Sequence, residues 1–238
     1  MLVMKKLIVL FLLVISITFF GCNSVKSSVN DILPPIETLP LPDVEQDNST
    51  TDEEEEKKKV YAVSSVNGLR VRKKPNSSSQ VLGTLDKNDA VICVDQVSGF
   101  YKTTYKEQEA FVWADYCYTL EVEYEDERVE NAIDFGSTLL GYPYVWGSQR
   151  YHWGNGKLNA NFVNGEFDCS ALVQYVYYKT NGVILDLTSR TQSLNGVEVK
   201  RSEIKRGDLM FFTNASRKNK VGIERIGHVL IWNSTERL

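Results

Sequence analysis

Phe167-Asp-Cys-Ser-Ala-Leu-Val-Gln-Tyr-Val-Tyr177 is the stretch on which the fold turns. Leu172, Val173, Val176 and Tyr177 recur with a period of three to four, so a helix begins near Asp168-Cys169-Ser170. Working back toward the N-terminus, Glu127–Leu140 places Val129, Ala132, Ile133, Gly136 and Leu140 at the same helical spacing. Working forward, Leu209-Met-Phe-Phe212, just after Arg206-Gly-Asp208, and Gly227-His-Val-Leu-Ile-Trp232 read as strands. Helices first and an antiparallel sheet after them make residues 122–238 an α+β unit.

The preceding segment, residues 59–121, has a different rhythm of short strands and turn signals. Val60–Val63 opens it, Asn67-Gly68 marks a tight turn, and Leu69-Arg-Val-Arg72 alternates as a half-buried strand does. Val81–Leu85, Ala90–Val94, Phe100–Thr104 and Ala110–Trp113 continue the series, with loops at Lys74–Ser79 and Ser98-Gly99. About sixty residues of this kind predict a small β-barrel.

Charge is unevenly placed along the 238 residues, whose net value is only −4. Residues 23–58 hold ten acidic and three basic side chains, four of the six prolines and no aromatic ring. Such a segment has nothing with which to build a core and reads as an extended, self-repelling tether, assigned to residues 22–58. The remainder is nearly neutral, without the concentrated basic surface of a nucleic-acid binder, and none is expected as a partner. Residues 1–21 read as a signal peptide: Lys5 and Lys6 precede an apolar run from Leu7 to Phe20, short of the about 20 residues a membrane span needs. The run ends at Gly21-Cys22, a small residue before Cys that resembles the lipobox of bacterial lipoproteins, with Phe19 where Leu is usual. That resemblance implies a lipid on Cys22, a membrane anchor, and a chain that faces the cell wall from outside the cytoplasm.

Cys93, Cys117 and Cys169 remain, an odd number that leaves at least one thiol unpaired. Cys93 and Cys117 both fall in the barrel, either bridged or as two buried apolar residues. Cys169 falls at a helix start, where the positive end of the dipole favours thiolate. The chain has two histidines: His152 lies in a Gly/Asn-rich loop, and His228 heads a strand 59 residues beyond Cys169. A cysteine at a helix N-terminus with a histidine on a strand is the plan of papain-like nucleophilic catalysis. No metal-ligand spacing and no phosphate-binding glycine loop is present, so neither metal nor cofactor is expected.

Tyr144-Val-Trp-Gly147, Phe167-Asp-Cys-Ser-Ala-Leu-Val173, Arg206-Gly-Asp-Leu-Met-Phe-Phe212 and Gly227-His-Val-Leu-Ile231 stand in the order found in the NlpC-type cell-wall peptidases, and residues 122–238 resemble that family. The barrel segment, through NGLRVRKKPNSSSQVLGTL, GFYKTTY and AFVWADYCYTL, resembles the bacterial SH3-like domains of cell-wall proteins. The first resemblance implies a papain-like cysteine peptidase that cuts peptidoglycan stem peptides, often after γ-D-glutamate. Cys169 would be the nucleophile, His228 the general base and acid, and Tyr144 a substrate-side residue near the thiol. It also implies that Asp168 and Ser170 help hold a free amino terminus in those relatives that need one, although Asp168 also suits a helix N-cap.

The chain departs from the family in two places. A third polar residue, usually His, follows the catalytic His by about a dozen residues in relatives, and that position falls beyond Leu238. The expectation is therefore a C-terminally incomplete peptidase domain, with a catalytically impaired wall-binding lipoprotein as the alternative. Asn233 is expected in the turn, on the wrong element to replace it. The second departure is residues 148–167, a long link that is either a substrate lid or a self-packed loop.

Overall fold

The structure is a computed structural model that describes residues 2–6 and 58–234. The apolar run after Lys6, Cys22 and the acidic tether therefore lie outside the described residues, as does the end of the chain past Ser234. Among the described residues, no helix is long and apolar enough to cross a membrane.

The first described segment, β1 (Leu2–Lys6), belongs to a sheet completed much later in the chain. The barrel comes next, as β2 (Lys58–Ser64), β3 (Leu69–Arg72), β4 (Val81–Leu85), β5 (Ala90–Ile92), β6 (Asp95–Val97), β7 (Phe100–Tyr105), β8 (Gln108–Trp113) and β9 (Cys117–Glu123). Two antiparallel sheets, ordered β5-β2-β9 and β4-β3-β8-β7-β6, close over Ala62, Leu69, Val71, Leu85, Val91 and Val112. Asn67-Gly68 makes the tight turn before β3, with Gly68 at φ +74°. Cys93 and Cys117 are unbridged and half-buried. Burial pushes the Cys117 thiol up to about 11, with Cys93 adding to the effect, and burial also raises Cys93.

The second unit opens with α1 (Glu127–Thr138), whose N-cap Asp126 accepts from the amides of Arg128 and Val129. Next come α2 (Cys169–Asn181), capped by Asp168 and ended by Gly182 at φ +65°, and the short α3 (Ser189–Gln192). The strands β10 (Val197–Val199), β11 (Leu209–Thr213) and β12 (Ile226–Ile231) join β1 in the antiparallel order β10-β1-β11-β12. The α+β plan holds. Val173 and Tyr177 of α2 pack against Leu209, Phe211, Ile226 and Val229, so the helix lies on the β11–β12 face of the sheet.

Barrel and helical unit are joined by buried polar contacts. Arg206 reaches Glu130 of α1 through Nε and Nη2 at 2.7 and 2.9 Å and Tyr61 of β2 at 2.6 Å, and its third contact is the carbonyl of Asn233. The β7–β8 hairpin adds a second seam. The amides of Lys106 and Glu107 donate to the carbonyls of Leu140 and Thr138, and Glu107 accepts from Tyr142 and Asn164.

Candidate active site

The segment Pro143–Val145 is pinned beside Phe167. The Phe167 amide donates to the Pro143 carbonyl at 3.2 Å, and the Val145 amide to the Phe167 carbonyl at 3.0 Å. That short parallel bridge sets Tyr144 next to Cys169, the first residue of α2, with the Tyr144 hydroxyl close enough to feel the sulfur. Burial, the sulfur and Asp168 together raise the Tyr144 pKa, which keeps the phenol protonated and available as a donor. Cys169 is half-buried at the positive end of α2, where first-turn amides have no intrahelical acceptor.

Asp168 does more than cap the helix. Its Oδ1 accepts from the Ala171 amide at 2.8 Å and the Ser170 hydroxyl at 3.0 Å. Its Oδ2 accepts from the Gly147 amide at 3.2 Å and from Arg150 Nη2 at 2.9 Å. Arg150 also donates to the Ser170 hydroxyl and to the carbonyls of Leu187 and Ser148, so it stitches the start of the long link to the start of α2. From the other side, Gln192 of α3, wholly buried, donates to the Ser170 carbonyl at 3.0 Å. Neither Arg150 nor Gln192 is legible as a site residue in the sequence. For α3, Thr188 and Thr191 do form a capping box, a three-residue spacing that carries a local signal.

His228 lies on β12 opposite Phe212, the ring centroids 6.5 Å apart. Its neighbour Val229 points into the α2 packing, and strand alternation puts the imidazole on the other face. Although His228 is exposed, desolvation by the surrounding chain lowers its pKa below the ordinary histidine value, so the ring is neutral at neutral pH, as a general base must be. Cys169, Tyr144, Asp168 and Asn233 line a cleft of about 440 Å³ that β12 borders at His228, but the imidazole itself is on the Phe212 face, away from the thiol. Among the described residues, no hydrogen bond joins the thiol to the imidazole, and no side chain orients the imidazole by one. Asn233 sits past the end of β12, as the sequence predicts for it.

The long link is packed on its inner side. Tyr151 and Phe162 meet edge to face at 5.1 Å, both lie against Tyr175 of α2, and His152 is fully buried against Tyr178. His152 is a loop residue, as expected, and stands outside that cleft. Trp153 and Val163 of the link remain exposed, as does Trp146 just before it. Among the described residues, no group of three or more His, Cys, Asp and Glu side chains could hold a metal ion.

Residues 141–236 match the NlpC/P60 family, and residues 67–117 match the bacterial SH3 domain. The chain carries an NlpC/P60 domain behind a bacterial SH3 domain. Within the first, the Peptidoglycan DL-endopeptidase CwlO of Bacillus licheniformis is 38% identical over 97 residues, which is 40% of this chain and 20% of that protein. The Gamma-D-glutamyl-L-lysine dipeptidyl-peptidase of Bacillus cereus is 33% identical over 92 residues, 39% of this chain and 23% of that protein. This chain thus spans about a fifth of the length of these curated relatives. A crystal structure of an NlpC/P60 family protein from Bacillus cereus aligns at 20% identity, covering 74% of this chain and 52% of that one, with a TM-score of 0.35, too slight a likeness to argue from. The NlpC/P60 match ends two residues short of Leu238, and all four ordered motifs lie inside it.

Proposed function

We propose that the chain is a cysteine peptidase that cuts peptidoglycan stem peptides, at the γ-D-glutamyl–diamino acid bond, from the outer side of the cytoplasmic membrane. The observation that carries this reading is Cys169 at the start of α2, beside Tyr144, on a cleft that β12 also borders from His228 to Ile231. In the first half-reaction His228 takes the proton of Cys169, and the sulfur adds to the scissile carbonyl. The amides of Cys169 and Ser170, at the start of α2, are the donors nearest the sulfur for the negative charge that develops on the oxygen. His228 then protonates the leaving amine, the C–N bond breaks, and a thioester remains on Cys169. Water, deprotonated by His228, hydrolyses the thioester and returns the thiol. Tyr144 is the substrate-side residue beside the sulfur, and Asp168 and Ser170 flank the nucleophile. The scheme calls for no metal and no cofactor.

A lipid on Cys22 would hold the enzyme at the membrane, with two acyl chains enough for stable anchoring. Cleavage before Cys22 removes Leu2–Lys6 as well, and it would open the slot that β1 fills between β10 and β11.

A second reading, wall binding without cleavage, is favoured by one observation: the imidazole stands on the Phe212 side of β12 without an orienting hydrogen bond. Losing the orienting group of such a catalytic set costs orders of magnitude in rate. Muropeptides incubated with the protein and read by mass spectrometry separate the two readings. The peptidase reading expects a new product that is absent with Cys169→Ala. Retention on sacculi with no product from either protein supports the second reading and overturns the first.

A further inference from the structure

The cleft takes a substrate beside Asp168, and the charge of that residue is already spent. Of the residues that line the cleft, Asp168 is the single carboxylate, and the rest of the lining is largely apolar, with Leu139, Pro143, Leu172 and Val173 among it. A carboxylate offers about four lone-pair positions, two on each oxygen. At Asp168 all four are taken, by Ala171, Ser170, Gly147 and Arg150. The Arg150 guanidinium also cancels the charge, in a pair whose side chains are 16% and 7% exposed. Ser170 is engaged in the same way, donating to Asp168 while it accepts from Arg150.

An ammonium group in this place would find no free acceptor on Asp168, a single lone pair left on the buried Ser170 hydroxyl, and no net negative charge. Burying it there would mean stripping its water without replacing it, which is the costly case for an ion. An amide nitrogen carries no charge and has one hydrogen to satisfy. We infer that Arg150 is a specificity-determining residue: by locking Asp168 and Ser170 it makes the cleft prefer stem peptides whose amino end is acylated over those with a free amine. The inference rests on the peptidase reading and deepens it, because it assigns the chain an endopeptidase's substrates. The lock comes from the third residue after the Tyr144-Val-Trp-Gly147 motif, at the start of the long link. Glu107 on the β7–β8 hairpin accepts through Oε2 from Asn164 and from Tyr142, which lines the cleft.

The test compares kcat/KM of the full-length protein on two peptides, L-Ala-γ-D-Glu-L-Lys-D-Ala with a free amine and the same peptide N-acetylated. The expected result is a preference for the acetylated peptide of about tenfold or more, the factor set by one unsatisfied buried group. The preference should shrink above about pH 8, where the free amine loses its proton. Arg150→Gln frees the carboxylate and should shift the ratio toward the free amine by about tenfold. Because both peptides are measured on one preparation, partial loss of folded protein cancels from the ratio. A free amine favoured by the unsubstituted protein overturns the inference, and loss of that preference in Glu107→Gln would place the amine on the barrel instead. An unchanged ratio in Arg150→Gln also overturns it. Cleavage of neither peptide by folded protein defeats the peptidase reading itself, a different outcome from a wrong preference.

Discussion

At Asp168 one carboxylate caps a helix, holds the end of the Tyr144–Gly147 motif and neutralises an arginine. Its identity as a helix cap follows from the chain order of Asp, Cys and Ser before an apolar period, whereas its ion pair with Arg150 depends on a loop closing over 18 residues. His152 shows the same limit. A Gly/Asn-rich neighbourhood marks it as a loop residue, yet it is fully buried, and its Nδ1 accepts from the Gly154 amide. Desolvation lowers its pKa, as it does for His228, so the folded protein takes up these protons less readily than the unfolded chain. Below about pH 6.5 the unfolded state then binds more protons than the folded one. Stability is therefore fully present above that pH and declines as the pH falls toward the lowered folded values. Thermal melts from pH 8 to 5 should show this decline, and an NMR titration should give His152 a midpoint below 6.5. A midpoint at or above that value would contradict the assignment.

At the scale of elements, periodicity located α1, α2, β11 and β12, and turn chemistry located the barrel strands from β2 to β8 except β6. The series so located closes at Trp113, so it misses β9, the seven-residue partner of β2. It did not foresee burial on both sides of β2. Ala62 faces the barrel core, while Tyr61 and Val63 form a second cluster with Val122 on the outer face of the sheet. A strand that alternates for one core and then receives a neighbouring domain loses its polar face. β6 and β10 escape notice because three residues are too few to establish a period. Tyr105 at the end of β7 lies close against the backbone of both Gly83 and Gly141. A Cβ at Gly141 would run into that ring, and its φ of +89° disfavours any side chain. Gly141→Ala should therefore cost about 2–3 kcal/mol in urea unfolding, more than an ordinary surface change. A loss under about 0.5 kcal/mol would show that the ring can move aside.

Across the whole molecule, the Arg206–Glu130–Tyr61 cluster ties the start of β11 to α1 and to the barrel. Both partners of the ion pair are 2% exposed, and the guanidinium lies 5.5 Å from the Tyr61 ring centre. Removing one member leaves the other charge buried, so Glu130→Ala should cost about 3–5 kcal/mol. Tyr61→Phe, which removes a single hydrogen bond to a charged group, should cost about 1.5–3 kcal/mol. Barrel and NlpC/P60 domain should melt together in the unsubstituted protein. Two separate calorimetric transitions there, or a Glu130→Ala variant as stable as the parent, would mean that this seam does not couple them.

By itself, the amino-acid sequence determined the order of the two domains, the α+β plan of the second, the helix beginning at Cys169 and the strand carrying His228. Those features are local: apolar period, capping residues and turn glycines act over a few positions and leave their mark in the chain order. Only the tertiary structure decided that Arg150 would close on Asp168, that Arg206 would be shared by two domains, and that the inner side of residues 148–167 would pack on α2. Each of these is a long-range pairing of buried polar or aromatic groups. Such a pairing is worth its desolvation only once the fold has brought both partners together, so neither residue announces it alone.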